Sequence, residues 1–183
     1  MDQLRRTHLR AFASVLALAA APAWAQSVAE QASALEKKDK KAVPLPRVGS
    51  ALALPPTVEL IDGKTLHTKD WAGKVVVLEY WATWCPFCAR QMPHMQALYQ
   101  KEHGRGLEML ALSIDKKAAD VPPFVKSKNY TFPVAWLSPA LARALPKPAG
   151  LPVTIVLGRD GKVVLAESGE MFAEEIAGIA KFL

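Results

Sequence analysis

The sequence predicts an α/β domain built on a central mixed β-sheet flanked by helices. Three observations carry that prediction. Short apolar runs at 75–81, 107–114, 132–137 and 152–157 alternate with stretches of helical period at 86–103, 120–128 and 138–145, the pattern of βαβ units. The last apolar run is turned by Arg159, Asp160 and Gly161 into residues 162–167, which adds antiparallel strands and makes the sheet mixed. The two cysteines of the chain, Cys85 and Cys88, are separated by two residues and stand where the first run gives way to the first helical stretch.

Not all 183 residues belong to that domain. Arg5, Arg6 and Arg10 precede an apolar stretch, Ala11 to Ala23, that is too short to span a bilayer. The small-residue pattern Ala23-Trp24-Ala25 then marks cleavage before Gln26. Residues 1–25 therefore read as an export signal peptide, with an uncleaved N-terminal anchor as the alternative. Arg5-Arg6-Thr7-His8-Leu9-Arg10 resembles a twin-arginine signal with His8 in place of the usual aromatic residue, and the general secretory route fits equally. Residues 26–47 read as a flexible linker, polar and rich in lysine (Lys37, Lys38, Lys40, Lys41) before Pro44 and Pro46 forbid regular helix. Residues 48–183 then form one domain. Beyond residue 25 the chain carries 20 basic against 16 acidic side chains, a mild excess with no aromatic-interleaved basic stripe. Nucleic acid is not an expected partner.

Each element has its own warrant. Thr57 to Ile61 is a strand, Asp62-Gly63 a hairpin turn and Lys64 to His67 the returning strand. Val75 to Trp81 is apolar nearly throughout, as a strand buried on both faces requires. From Pro86 to about His103, Phe87, Met92, Met95, Leu98 and Tyr99 recur at spacings near three and four, so this stretch is a helix, kinked at Pro93 and ended by Gly104 and Gly106. Leu107 to Ile114 is the next strand. Asp120 begins a short helix with Pro122 in its first turn, and Ser138 caps another that runs to Leu145. Between them lies a strand at Phe132 to Leu137. Pro152 to Leu157 and Lys162 to Glu167 form the late hairpin, and Phe172 to Leu183 an amphipathic C-terminal helix.

The cysteine pair carries the chemistry. A thiol reacts as its thiolate, and the free N–H groups at a helix N-terminus stabilise that anion. Cys85, just before the helix, is the expected low-pKa nucleophile. Cys88, one turn inside, is the expected resolving thiol. Pro86 suits the first helical position, where a missing N–H costs nothing. Two blander readings compete. A structural disulfide closing so short a loop constrains the unfolded chain little, and one Cys-x-x-Cys without a second pair supplies half a zinc site. Ala89 follows Cys88, so the haem-attachment pattern is absent. No bound metal or cofactor is expected; the redox group is the Cys85–Cys88 pair itself.

Further motifs stand in a fixed order: Asp62-Gly63-Lys64; Gly73-Lys74 before the central strand; Trp81-Ala82-Thr83-Trp84-Cys85-Pro86-Phe87-Cys88 with Pro93 beyond; and Gly150-Leu151-Pro152 leading through the last strand to Asp160-Gly161. With these the chain resembles the periplasmic TlpA/ResA-like thiol-disulfide oxidoreductases of the thioredoxin superfamily. The resemblance runs from about Val48 to Leu183. It implies a thioredoxin fold with an N-terminal β-hairpin and an inserted βα element. It also implies a cis proline at Pro152 facing the dithiol, which would expose the backbone of Leu151 to an extended substrate segment. Glu79, six residues before Cys85, matches the buried acid of thioredoxin. Strand parity puts it on the face of Val75, Val77 and Trp81, beneath the dithiol, where a raised pKa suits a proton shuttle for Cys88. A carboxylate at a sheet edge, paired with lysine, is the plainer alternative.

Two departures touch the thiols. The family usually places proline next to the second cysteine, whereas Pro86 follows the first here, as in glutaredoxins and DsbA. It also tends to carry an acid three residues after the second cysteine, where this chain has Gln91. The resemblance implies periplasmic reduction of protein disulfides through a mixed disulfide, with Trp84, Pro86, Phe87, Leu151 and Pro152 forming the substrate surface. A membrane electron donor of the DsbD/CcdA type would reset the pair, and a monomer is expected. A DsbA-type oxidase or isomerase and a copper-binding thiol chaperone are the alternatives. Arg90 is either a thiolate partner or a solvated side chain, and His94 reads as a packed or surface histidine.

Overall fold

A computed structural model describes residues 43–183. The expected signal peptide and all but the last few residues of the expected linker lie outside the described residues. The element order is β1 (Thr57–Glu59), β2 (Thr65–His67), β3 (Val75–Trp81), α1 (Pro86–Glu102), β4 (Leu107–Ser113), α2 (Val121–Ser127), β5 (Val134–Trp136), α3 (Leu141–Ala144), β6 (Val153–Leu157), β7 (Val163–Ser168) and α4 (Ala173–Ala177). Five strands form the main sheet in the order β5-β4-β3-β6-β7. The βα crossovers make β3, β4 and β5 parallel, while β6 and β7 run antiparallel, which gives the mixed sheet. β5 and α3 supply the inserted βα element at one edge. The β1–β2 hairpin lies beside it, with Ile61 N–H donating to Val134 O at 2.9 Å.

β3 is the centre of the sheet, and its composition says why. All seven of its residues are buried, as are all seven of β4. Alternation along the strands divides the core in two. Val75, Val77 and Trp81 join Met92, Met95, Leu107, Met109, Ile176 and Ile179 under α1 and α4. Val76, Leu78 and Tyr80 face the other way with Leu110, Leu112, Val153, Ile155 and Trp71. Glu79 falls on the first face, registered between Ala111 of β4 and Thr154 of β6. It lies in the central strand, not at an edge.

The opposite edge is covered by the lead-in chain. Gly49 N–H donates to Val163 O and Val163 N–H to Ser50 O, and Ala51 bridges Lys162, so the first part of this edge is paired. Leu45, from the stretch expected as linker, is half-buried against the second core cluster together with Leu52 and Leu54.

Several elements are shorter than the sequence predicts. α1 runs through Pro93 to Glu102, and a 3-10 turn at His103–Arg105 ends at Gly106, whose φ of 99° is left-handed and suits glycine. The predicted helix at 138–145 contracts to Leu141–Ala144, hemmed in by Pro146 and Pro148. Ser138 still serves it, because its Oγ accepts from Leu141 N–H at 3.2 Å. The C-terminal helix is α for one turn only and continues as a 3-10 helix over Gly178–Phe182. Its start is held by Phe172 N–H donating to the Glu175 carboxylate at 2.7 Å, the backward half of a capping box.

Leu110, fully buried on the second face of β4, tests this core. Leu110→Ala should cost about 2–5 kcal/mol of unfolding free energy in urea, with the disulfide intact.

Candidate active site

Three elements converge on the cysteines. β3 ends at Trp81, the chain turns through Ala82-Thr83-Trp84, and α1 starts at Pro86 with Cys85 as its N-cap. The turn is held from both sides. Cys85 N–H donates to Ala82 O at 3.2 Å. Thr83 N–H and Thr83 Oγ1 donate to the two oxygens of Asp115 at 3.0 and 2.6 Å. Asp115 is buried just beyond β4 and also accepts from Ser113 Oγ at 2.7 Å, while its backbone oxygen accepts from Trp136 Nε1 at 2.8 Å. Nothing near the cysteines in sequence signalled Asp115, because its partners lie on β4, β5 and the turn after β3.

Cys85 and Cys88 form a disulfide, with Cα atoms 5.3 Å apart. Cys85 is 3% exposed and Cys88 0%. The backbone N–H of Cys88 points at Cys85 Sγ from 3.1 Å, so a first-turn donor of α1 with no intrahelical partner is aimed at this sulfur. Around the buried pair the surface is apolar: Trp84 is 64% and Phe87 50% exposed. Phe87 therefore departs from the apolar stripe in which the sequence placed it. Arg90 sits 4.8 Å over the Phe87 ring and makes a two-pronged ion pair with Glu170, at 2.8 and 2.6 Å. That pairing commits its charge away from the sulfurs. Pro86 is exposed beside Phe87, and His94 is an exposed residue of α1. The Leu151–Pro152 peptide is cis, Pro152 is buried, and Leu151 packs against the cluster that holds both cysteines.

Glu79 is fully buried on the same sheet face, in a closed polar set that the sequence did not reveal. Thr154 Oγ1 donates to its Oε2 at 2.7 Å, and Gln91 Nε2 to its Oε1 at 2.9 Å. Gln91 lies one turn beyond Cys88 on α1, so the helix that carries the dithiol also reaches the carboxyl. Burial pushes the Glu79 pKa up to about 8, against the two hydrogen bonds, which favour the ionised form. Strand pairing is the signal for Thr154, which stands directly across from Glu79. Among the described residues, no group of three or more His, Cys, Asp or Glu side chains is placed to hold a metal ion.

A disulfide of Cys-x-x-Cys spacing, at a strand-to-helix turn on this mixed sheet, defines a thioredoxin-like thiol–disulfide oxidoreductase. The comparisons with known proteins place it more narrowly. The Redoxin family model matches residues 47–182, and the chain belongs to that family. It is similar to the thiol-disulfide oxidoreductase ResA of Bacillus cereus, with 36% identity over 118 residues, covering 64% of this chain and 68% of the relative. The ResA of Oceanobacillus iheyensis is 32% identical over 135 residues, covering 72% and 70%. Among solved structures, a thioredoxin-family thiol:disulfide interchange protein from Chlorobium tepidum superposes with a TM-score of 0.67 at 23% identity, over 74% of this chain and 96% of that one, a likeness of fold. The chain is a ResA-like thiol–disulfide oxidoreductase.

Removing the loop clamp with Asp115→Ala leaves Thr83 N–H, Thr83 Oγ1 and Ser113 Oγ without their acceptor. The loss should be about 2–3 kcal/mol in urea unfolding, with slower exchange at the dithiol. Glu79 makes a pH prediction. The folded protein holds this proton up to about pH 8, whereas the ordinary value is 4.5. Its contribution to stability is therefore complete below about pH 4.5 and is lost as pH rises through 8, a fall on the order of 5 kcal/mol. The difference in unfolding free energy between the oxidised protein and Glu79→Gln should grow by that amount over this window.

Proposed function

We propose that this oxidoreductase works outside the cytoplasm as a reductase of protein disulfides, with Cys85 as nucleophile and Cys88 as resolving thiol. The observation that carries the division of labour is the placing of Cys85 as N-cap of α1, its sulfur accepting from Cys88 N–H beside exposed Trp84 and Phe87, while Cys88 lies inside the helix with no exposed area. In the reduced protein the Cys85 thiolate attacks one sulfur of a partner's disulfide. A Cys85–partner mixed disulfide forms, and the other partner sulfur leaves as a thiolate. Cys88 then loses its proton and attacks Cys85 Sγ; the mixed disulfide breaks, the partner's second thiolate departs, and Cys85–Cys88 is left oxidised. Two electrons have passed from the dithiol to the partner.

Glu79 is the proposed proton partner of Cys88. A carboxyl titrating near 8 holds a proton at neutral pH and can release it to the Cys88 sulfur as the disulfide opens, then take it back when Cys88 attacks. Trp84, Pro86 and Phe87 offer an apolar seat for the partner, and the backbone of Leu151 before cis Pro152 offers hydrogen bonds to an extended segment. A membrane electron donor of the DsbD/CcdA type would return the pair to the dithiol. The basic and apolar residues from Arg5 to Ala25 support export to the periplasm.

Cys88→Ala, reduced and mixed with a disulfide-bonded protein substrate, should accumulate a covalent complex that dithiothreitol releases; Cys85→Ala should form none. Complex formation through Cys88 instead would refute the assignment. Glu79→Gln should slow exchange at pH 7 about tenfold, read by stopped-flow tryptophan fluorescence. Reductase action expects a reduction potential nearer −270 mV than −120 mV, and a value near the latter would make the protein an oxidase.

A further inference from the structure

Gln91 has no part in the exchange steps above, yet every polar atom of its buried side chain is engaged. Its Nε2 donates to Glu79 Oε1 at 2.9 Å and to Thr154 Oγ1 at 3.0 Å, and its Oε1 accepts from Met171 N–H at 2.6 Å. Thr154 Oγ1 passes its own hydrogen to Glu79 Oε2 at 2.7 Å. A backbone N–H only donates, so the Met171 contact fixes which end of the amide is oxygen and turns both amide hydrogens towards Glu79 and Thr154. Each carboxyl oxygen of Glu79 therefore meets a donor.

We propose that Gln91 is a positioning residue for the exchange reaction: its amide, fixed by Met171, holds two donors against the Glu79 carboxyl and so sets how readily that carboxyl gives its proton to the dithiol. The inference rests on the reading of Glu79 as the proton partner of Cys88. In a dry core with nothing donating to it, a carboxyl keeps its proton well above neutral pH. Donors at both oxygens favour the anion and pull the titration back towards the pH of exchange.

Little else near Glu79 can do this. Ala111 is registered beside it on β4 and Thr154 on β6, with Val77 and Trp81 along its own strand. The other titratable groups on the elements around it are engaged elsewhere: Cys85 and Cys88 are joined in the disulfide, buried Glu102 at the end of α1 pairs with Arg105, and buried Asp115 beyond β4 accepts from Thr83, with Tyr99 and Tyr130 half-buried at the cluster's margin. Arg90 and Glu170, the sequence neighbours of Gln91 and Met171, are paired with each other at the surface.

Gln91→Glu tests the proposal, because it keeps an oxygen for Met171 N–H and a similar volume while setting a second carboxyl against Glu79. Two acids in contact share a proton and ionise in two linked steps. Carboxyl infrared absorption of the oxidised, full-length protein, with Glu79→Gln spectra subtracted, should show the last ionisation moving up by at least about one pH unit. The rise of exchange rate with pH should follow it, leaving the rate at pH 7 about tenfold lower. The double variant E79Q/Q91E rebuilds one acid and one amide, and should recover most of the rate that E79Q loses, which a packing role for Gln91 would not produce. Gln91→Met, which cannot donate, should show the same upward shift and serves if Gln91→Glu does not fold. An unmoved carboxyl titration in a folded variant overturns the proposal. A titration that moves while E79Q exchanges at the wild-type rate overturns instead the proton role of Glu79, and with it the catalytic consequence drawn for Gln91.

Discussion

The arrangement depends on one constraint: Cys85 Sγ must sit at the N-terminus of α1, where backbone N–H groups have no intrahelical partner. Everything nearby serves that placement. Pro86 starts the helix without wasting a donor, Cys88 N–H is directed at the sulfur from 3.1 Å, and the Asp115 clamp on Thr83 sets the path by which the chain enters. The side chain best placed in sequence to supply positive charge, Arg90, is instead bound to Glu170 and stacked on Phe87. Backbone dipoles, not a cation, are what the sulfur meets. Their effect is fixed by the fold and does not depend on the rotamer of a long side chain.

A fully buried carboxyl on the central strand works against stability. Leucine at position 79 would fit the surrounding pattern of Val75, Val77 and Trp81 and would need no partner. The chain instead surrounds the acid with Gln91 and Thr154, so that every polar atom of the set is satisfied. Such a closed set costs far less than a single orphaned group, yet it still holds an acid where burial lifts its pKa to about 8. A residue costly to bury, with its pKa pushed up to about 8 and bonded to Gln91, which lies one helical turn beyond Cys88, is what the proposed proton role requires.

The parts of this fold that could be read from sequence are those whose cause is local. β3 and β4 announce themselves as apolar runs interrupted chiefly by Glu79 and Glu108, Asp62-Gly63 and Asp160-Gly161 as turns, and the start of α1 as Cys85 followed by Pro86. Parity alone put Glu79 on the correct face. The helices expected at 138–145 and 172–183 are shorter in the structure because residues 138–140 form a turn before the first and the 3-10 form takes over in the second, and apolar periodicity signals neither. The polar partners were harder still. Gln91 is 12 residues from Glu79, Thr154 is 75, and Asp115 is 32 from Thr83. Only the strand register and the docking of α1 bring them together, and neither is a property of any single segment.

Burial also bears on the order of events proposed at the dithiol, whichever way electrons run. Cys88 is fully covered and Cys85 keeps a small exposed area at the N-cap, which is why the proposed mixed disulfide forms at Cys85. Cys85 itself is nearly covered, so the partner in the proposed reaction is a segment that displaces water from the exposed Trp84 and Phe87. That requirement favours a protein chain over a small thiol. It also explains why these residues are exposed at all: two large aromatic side chains left in water cost solubility, and covering them on contact returns hydrophobic free energy to the encounter. The same contact excludes water from the sulfurs and strengthens the pull of the helix N-terminus on the departing thiolate. In the proposed exchange, recognition and activation are thus consequences of one event, the covering of Trp84 and Phe87 by the partner at the N-cap of α1.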